Sequence, residues 1–114
     1  MKNIEIVKSL QGIENVISFE TENKTSILNV KGEFALYKNR KALLDIYSSY
    51  ELVLDSIKSQ VENNNIDKET FNSKLDELLN TDNDIKISTI TPDSFLEGTR
   101  AVDLIALDFM IKED

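Results

Sequence analysis

The chain has 114 residues, with 13 Lys or Arg against 21 Asp or Glu, and its formal net charge at pH 7 is −8. It contains neither cysteine nor histidine, which excludes disulfides, thiolate chemistry, and the commonest zinc ligand and general base near neutral pH. The length predicts one domain, residues 1–114, and the 40% hydrophobic content is sufficient for a modest core. The helical patterns described below predict that this domain is α-rich.

The first predicted helix carries apolar residues at intervals of three and four. They are Ile6, Leu10, Ile13 and Ile17. Asn3 is the expected N-cap, and the helix is predicted to end near Ser18. The polar run 20–25 is then expected to be a loop and 26–30 a short extended segment. The alternative for 16–31 is a β-hairpin, because apolar and polar residues alternate at its start.

The second predicted helix is long, from about Glu33 to Val61. Its apolar stripe consists of Leu36, Leu43, Tyr47, Tyr50, Leu54, Ile57 and Val61. At 1.5 Å per residue it would span roughly 43 Å, more than the diameter of a small domain. Either it bends, or part of it projects and packs on another surface. We expect a homodimer in which two such helices pack along the stripe from Leu43 to Val61.

Two shorter elements follow. The third helix is predicted to begin after Asp67 as N-cap and to end at Asn80, with Phe71, Leu75, Leu78 and Leu79 on its buried face. Residues 85–90 alternate and predict a short strand that pairs with 27–30. Thr91, Pro92 and Asp93 are typical of a helix start, and Gly98 of a helix end.

The last predicted helix runs from Thr99, as N-cap, to about Ile111. Eight of the ten residues 102–111 are apolar, which is typical of a short helix buried on more than one side. We expect it to be the central helix of the bundle, with the long helix against one face and a second chain against the other.

No motif in the chain carries recognisable chemistry. Residues 80–91 have acids at alternate positions, but Ile85 and Thr91 stand where a calcium loop needs glycine and glutamate. The three glycines are too far apart for a phosphate-binding loop. We therefore predict no metal and no cofactor. An enzyme that uses carboxylates alone stays open, although nothing marks one pair among 21 acids.

The charge is unevenly distributed. Residues 1–61 hold eight basic and eight acidic residues, whereas 62–114 hold five and thirteen. An acidic half disfavours nucleic acid and favours a basic protein partner, although solubility alone would also explain it. No apolar run approaches the roughly 20 residues that span a bilayer, and 1–11 does not resemble a signal peptide. We expect a cytoplasmic protein that does not contact membranes.

Several phrases resemble one family. The helix pattern together with 71–81, FNSKLDELLNT, and 106–111, ALDFMI, resembles a family of small uncharacterised proteins encoded by phages and prophages of Gram-positive bacteria. The resemblance implies a phage or prophage origin and an α-rich fold, and it supplies no activity and no motif residues.

These observations predict a mainly α domain of about four helices in a small bundle, including one long helix, with a minor strand or hairpin. The predicted function is a non-enzymatic, acidic protein-interaction module, a phage-related assembly or accessory protein. The alternative is an inhibitor or antitoxin-like protein that masks a basic site on a host or toxin protein. The expected contact residues are Asp67, Glu69, Asp76, Glu77, Leu104 and Leu107.

Overall fold

The computed structural model describes residues 1–112. They form four α-helices: α1 over Asn3–Asn23, α2 over Val30–Glu62, α3 over Lys68–Asn80 and α4 over Ala101–Ala106. Single 3-10 turns lie at Pro92–Ser94 and Asp108–Met110. The prediction of a mainly α fold with about four helices, one of them long, is confirmed.

Helix α1 is longer than predicted, so both the end near Ser18 and the β-hairpin over 16–31 are wrong. The reason is Glu20, a polar residue that is buried rather than solvated. Its Oε2 accepts a hydrogen bond from the backbone N–H of Ile27 at 3.0 Å, which holds the following loop against the helix. Lys24 then ends α1 in a left-handed conformation with φ of 50°. The N-cap is Lys2 rather than Asn3.

Helix α2 begins three residues before the predicted Glu33, because Asn29 caps it. The Oδ1 of Asn29 accepts the backbone N–H of Gly32 at 2.8 Å, the usual bond of an asparagine N-cap. The 33 residues of α2 span about 50 Å at 1.5 Å each. That length is close to the longest dimension of the molecule, 53 Å.

Helices α1 and α2 pack antiparallel and are joined by an ion pair, in which Arg40 Nε donates to Glu14 Oε1 at 2.5 Å. The core between them receives residues from the 27–28 turn and from the C-terminal segment as well. Its buried apolar members are Ile6, Leu10, Ile13, Val16, Ile27, Leu28, Ala35, Leu36, Leu43, Ile90, Leu107 and Met110.

Helix α3 runs back along the distal half of α2, where Lys74 Nζ donates to Gln60 Oε1 at 2.9 Å. Its predicted cap is confirmed, since Asp67 Oδ1 accepts the backbone N–H of Thr70 at 2.7 Å. Its predicted buried stripe is only half-buried. The apolar stripe of α2 is covered only in part within the chain, where Leu43 is fully buried and Ile57 almost so. The homodimer along that stripe stays a prediction, but Leu43 and Ile57 cannot take part in its contact.

The predicted strand over 85–90 is wrong, and residues 1–112 contain only isolated bridge pairs. Leu28 pairs with Phe95, and Ile90 pairs with Ile111. The backbone groups of Ser88 are hydrogen-bonded to a buried side chain and not to a neighbouring strand. Asn39 donates from Nδ2 to the carbonyl of Ser88 at 2.8 Å and accepts the N–H of Ser88 on Oδ1 at 2.7 Å.

The C-terminal segment is not a central helix. Helix α4 has six residues, its N-cap is Arg100 rather than Thr99, and a 3-10 turn follows it. It packs on α1, where a Cβ at Gly12 would lie 2.6 Å from the carbonyl oxygen of Ala106. One side of the segment is buried, through Asp103, Leu107 and Met110.

The side chain of Asp103 is hydrogen-bonded to Arg100, the N-cap residue of α4. Arg100 donates to both carboxylate oxygens, from Nη2 at 2.7 Å and from Nε at 3.1 Å. Burial alone would raise the pKa of Asp103, but the hydrogen bonds from Arg100 outweigh it and lower that pKa. The guanidinium also lies 3.5 Å from the ring centroid of Phe19, so a single arginine joins α4 to α1.

Candidate interaction surface

The distal half of α2 and the whole of α3 form a helical hairpin, residues 50–80. Asn3, at the start of α1, lines the same groove as Tyr50 and Val53, so the rest of α2 extends past the N-terminal end of α1. Within residues 50–80, Ile57 is the one buried residue. Two helices alone leave their apolar faces half-covered, and this hairpin is therefore the least buried part of the fold.

A groove of about 360 Å³ lies where α2, the end of α3 and the start of α1 meet. We call it the acidic groove. Its apolar lining consists of Ile46, Tyr50, Val53 and Leu78. Its polar lining consists of Asn3, Asp45, Ser49, Thr81 and Asn83. Asp82 and Asp84 flank Asn83 along the chain and are exposed. The carboxylate of Asp82 pairs with the N-terminal ammonium of Met1 at 3.0 Å, so the negative charge at the edge of the groove comes from Asp45 and Asp84.

Asparagine side chains hold one wall of the acidic groove in place. Asn3 donates from Nδ2 to the carbonyl of Leu78 at 2.7 Å, and its backbone N–H donates to the carbonyl of Thr81 at 3.0 Å. Asn83 Nδ2 donates to Asn3 Oδ1 at 2.9 Å. Because these bonds tie the end of α3 to the start of α1, the groove is formed before any partner arrives.

Burial against Tyr47 raises the pKa of Tyr50 on the groove floor, since both the loss of solvent and the neighbouring phenol disfavour the phenolate. The hydroxyl of Tyr50 is therefore a neutral group that can donate or accept a hydrogen bond. It adds no charge to the floor.

The acidic residues predicted from the sequence lie together on the hairpin. Glu69, Asp76 and Glu77 are exposed on α3. Asp67 is exposed too, but its carboxylate caps α3, and the hydrogen bond from the backbone of Thr70 lowers its pKa.

The two predicted leucines lie elsewhere. Leu104 is 42% exposed on α4, which packs on α1. Leu107 is 0% exposed and belongs to the core, which contradicts its prediction as a contact residue.

The structure selects one carboxylate pair that the sequence could not select. Glu20 on the last turn of α1 and Glu33 on the first turn of α2 lie within hydrogen-bonding reach of each other. Burial, the hydrogen bond with Glu20 and its charge raise the pKa of Glu33 to about 8. Among residues 1–112, Glu33 Oε1 is the buried side-chain oxygen that lacks a partner. Glu20 also accepts the backbone N–H of Ile27. The two carboxylates therefore lie where the loop between α1 and α2 packs on the helices.

The acidic groove was missed because its floor residues follow the helical spacing of a core. Tyr50 belongs to the predicted buried stripe of α2 and Leu78 to that of α3, and the sequence does not say that α3 ends before it covers this part of α2. No group of three or more acidic side chains within residues 1–112 is placed to hold a metal ion. In the same described range, no helix has the length and apolar content needed to cross a bilayer.

Comparison with protein-family models, with curated proteins and with solved structures found no match to this chain.

Proposed function

We propose that this chain is a non-enzymatic protein-interaction module whose acidic groove receives an apolar side chain from a basic segment of another protein. The groove is the observation that supports it. An apolar floor open to solvent, beside a cluster of carboxylates, is suited to a segment that presents an apolar anchor between lysines or arginines. The excess of acids over residues 62–114 would draw such a segment toward the hairpin.

Two roles are compatible with this mode of binding. We favour a phage-related assembly or accessory protein, in line with the family that the sequence resembles. The alternative is an inhibitor or antitoxin-like protein that covers a basic site on its target. Genes for tail or lysis proteins beside this gene would support the first role, and an adjacent toxin gene would support the second.

Peptide binding tests the proposal. A labelled amphipathic helical peptide of leucine and lysine is titrated with the protein, and fluorescence anisotropy is measured. The same peptide with glutamate in place of lysine is the control ligand. We expect the basic peptide alone to bind, more weakly as salt rises, because the contacts combine exposed charges with an apolar anchor.

Matched variants locate the site. Val53→Asp introduces a charge on the groove floor and should weaken binding about tenfold or more, equivalent to about 1.4 kcal/mol. Val102→Asp makes the same change at an exposed valine of α4, away from the groove, and should leave binding unchanged. Equal binding of the acidic peptide, or equal loss in both variants, would contradict the proposal.

A further inference from the structure

A cavity of about 330 Å³ lies between the first turns of α2 and the segment 88–94. Hydrogen bonds join the segment to α2 at both of its ends. The backbone of Ser88 is bonded to the side chain of Asn39 at 2.7 and 2.8 Å, and the carbonyl of Ser94 accepts the backbone N–H of Asn29 at 2.9 Å. Positions 29 and 39 are about 15 Å apart along the helix axis. The cavity lies between these two attachments, so it is formed before any ligand binds.

The lining of this cavity combines positive charge, hydroxyl groups and an apolar wall. Its charged members are Lys31 and Lys38 on α2 and Asp93 on the facing segment. Its apolar members are Phe34, Ala35 and Ile90. Hydroxyl groups come from Ser88, Thr89, Thr91 and Ser94. We call it the basic cavity, because these residues carry two positive charges and one negative charge in a chain whose net charge is −8.

The positive charge of the basic cavity belongs to one helix face. Lys31 and Lys38 are seven residues apart, which places them on the same side of α2 at a separation of about 10 Å along its axis. Among the described residues that line the cavity, Asp93 is the one carboxylate, and it already accepts a hydrogen bond from the hydroxyl of Thr91. The two ammonium groups therefore favour an anion, and the helix dipole at the N-terminus of α2 acts in the same direction.

The apolar wall of the basic cavity is open to solvent. Phe34 is 67% exposed, and Lys38 Nζ lies 5.6 Å from the centroid of its ring. Ala35 and Ile90, which complete the apolar lining, are buried. A flat apolar group in the cavity would remove one face of the Phe34 ring from water, beside a positive charge.

We propose that the basic cavity binds a small organic anion in which a carboxylate or phosphate group is attached to a flat apolar ring. The anionic group contacts the ammonium groups of Lys31 and Lys38, and the ring packs on Phe34. Hydroxyls of the facing segment, such as that of the buried Ser94, supply further hydrogen-bond donors. Pockets for small molecules have volumes of about 300–1,000 Å³. The basic cavity is at the lower end of this range and suits a ligand of one ring.

The inference is independent of the proposed function. The basic cavity and the acidic groove share none of the residues that line them. The variant Val53→Asp, which alters the groove, should leave the affinity for the anion unchanged. Either result can thus fail without the other.

Probes of matched shape test the ligand class. Phenyl phosphate, benzoate, benzyl alcohol and benzylamine are titrated separately into isotopically labelled protein, and the amide chemical shifts are followed by NMR. We expect the two anions to bind, with the largest shifts in residues 29–38 and 88–94. The neutral alcohol and the cationic amine should bind about tenfold more weakly or less, because they lack the anionic group. Inorganic phosphate, which has no ring, should also bind about tenfold more weakly than phenyl phosphate.

Matched variants locate the site. K31Q/K38Q should weaken the binding of phenyl phosphate about tenfold or more, because both charge-assisted contacts are lost. F34A should weaken it about threefold or more, because the ring loses its apolar wall. The control K8Q/K58Q makes the same charge change at exposed lysines outside the cavity and should keep the native affinity. All the replaced side chains are exposed, so each variant should keep a melting temperature close to that of the native chain.

Several results would each overturn the inference. They are a native chain that binds neither anion at millimolar concentrations, benzylamine or inorganic phosphate that binds as tightly as phenyl phosphate, and chemical-shift changes centred outside the basic cavity. Native affinity in F34A, or an equal loss of affinity in K31Q/K38Q and K8Q/K58Q, would overturn it as well.

Discussion

At the scale of single residues, the contact between Glu20 and Glu33 links folding to pH. The pKa of Glu33 is raised from 4.5 to about 8 in the folded chain. Between these two values the folded state therefore binds more protons at this position than the unfolded state does. The stability that this group contributes is complete below about pH 4.5 and is lost as the pH rises toward 8.

Replacing Glu33 by glutamine should remove this loss. We expect Glu33→Gln to be more stable than the native chain at pH 8 and to show a flatter dependence of stability on pH between 5 and 8. Urea unfolding at several pH values measures both quantities. Glu69→Gln, at an exposed position of α3, is the matched control and should keep the native slope. A native slope in Glu33→Gln would show that the pKa of Glu33 is not raised in the folded chain.

Buried polar residues were the least predictable feature at this scale. Glu20 and Asn39 are both buried, yet each is of a type that usually lies at the surface. Their partners are backbone groups at Ile27 and Ser88, which are separated from them by a turn or by a long stretch of chain. Sequence spacing identifies an apolar stripe but not a backbone group that a polar side chain will satisfy.

At the scale of elements, two leucines of the C-terminal segment should behave very differently. Leu107 lies in the core and Leu104 is exposed. We expect Leu107→Ala to cost about 2–5 kcal/mol of unfolding free energy, because it leaves a cavity. Leu104→Ala should change stability by about 0.5 kcal/mol or less. Denaturant unfolding of the two variants measures the difference, and equal costs would contradict the placement of this segment.

Sequence patterns correctly predicted those helix boundaries that depend on a hydrogen bond between residues close together in the chain. The start of α3 follows from Asp67, whose side chain caps the helix within three residues. The C-terminal segment was mispredicted because its apolar content is high on all sides, which fits a long buried helix equally well. Its real form depends on the approach of Ala106 to Gly12, a contact between distant parts of the chain that periodicity does not encode.

At the scale of the whole molecule, stability should decrease along α2 from the core to the hairpin. The core side of the molecule includes Ile13, Leu36 and Leu107, which are fully buried, whereas the hairpin buries Ile57 alone. We expect the backbone amides of α3 to exchange with deuterium well before those of α1. Hydrogen exchange followed by mass spectrometry makes this comparison, and equal protection of α1 and α3 would show that the hairpin is covered in solution.

The decrease in burial along α2 also explains why only part of the candidate site could be predicted from the sequence. The acids of α3 were identified because charge runs are visible in sequence. The groove beside them was not identified, since Tyr50 on its floor belongs to the stripe that was predicted to be core. Whether such residues are covered depends on the relative lengths of α2 and α3 and on where α1 begins.

The contact between Gly12 and Ala106 has a consequence for synthesis. Helix α1 leaves the ribosome well before Leu107 and Met110, which share its core, are translated. Until these residues are made, the apolar side of α1 lacks part of its native cover and is accessible to molecular chaperones. A transcript cut short before codon 107 would therefore yield a product that displays that apolar side to proteases. Translation of residues 101–110 and acquisition of protease resistance become a single event.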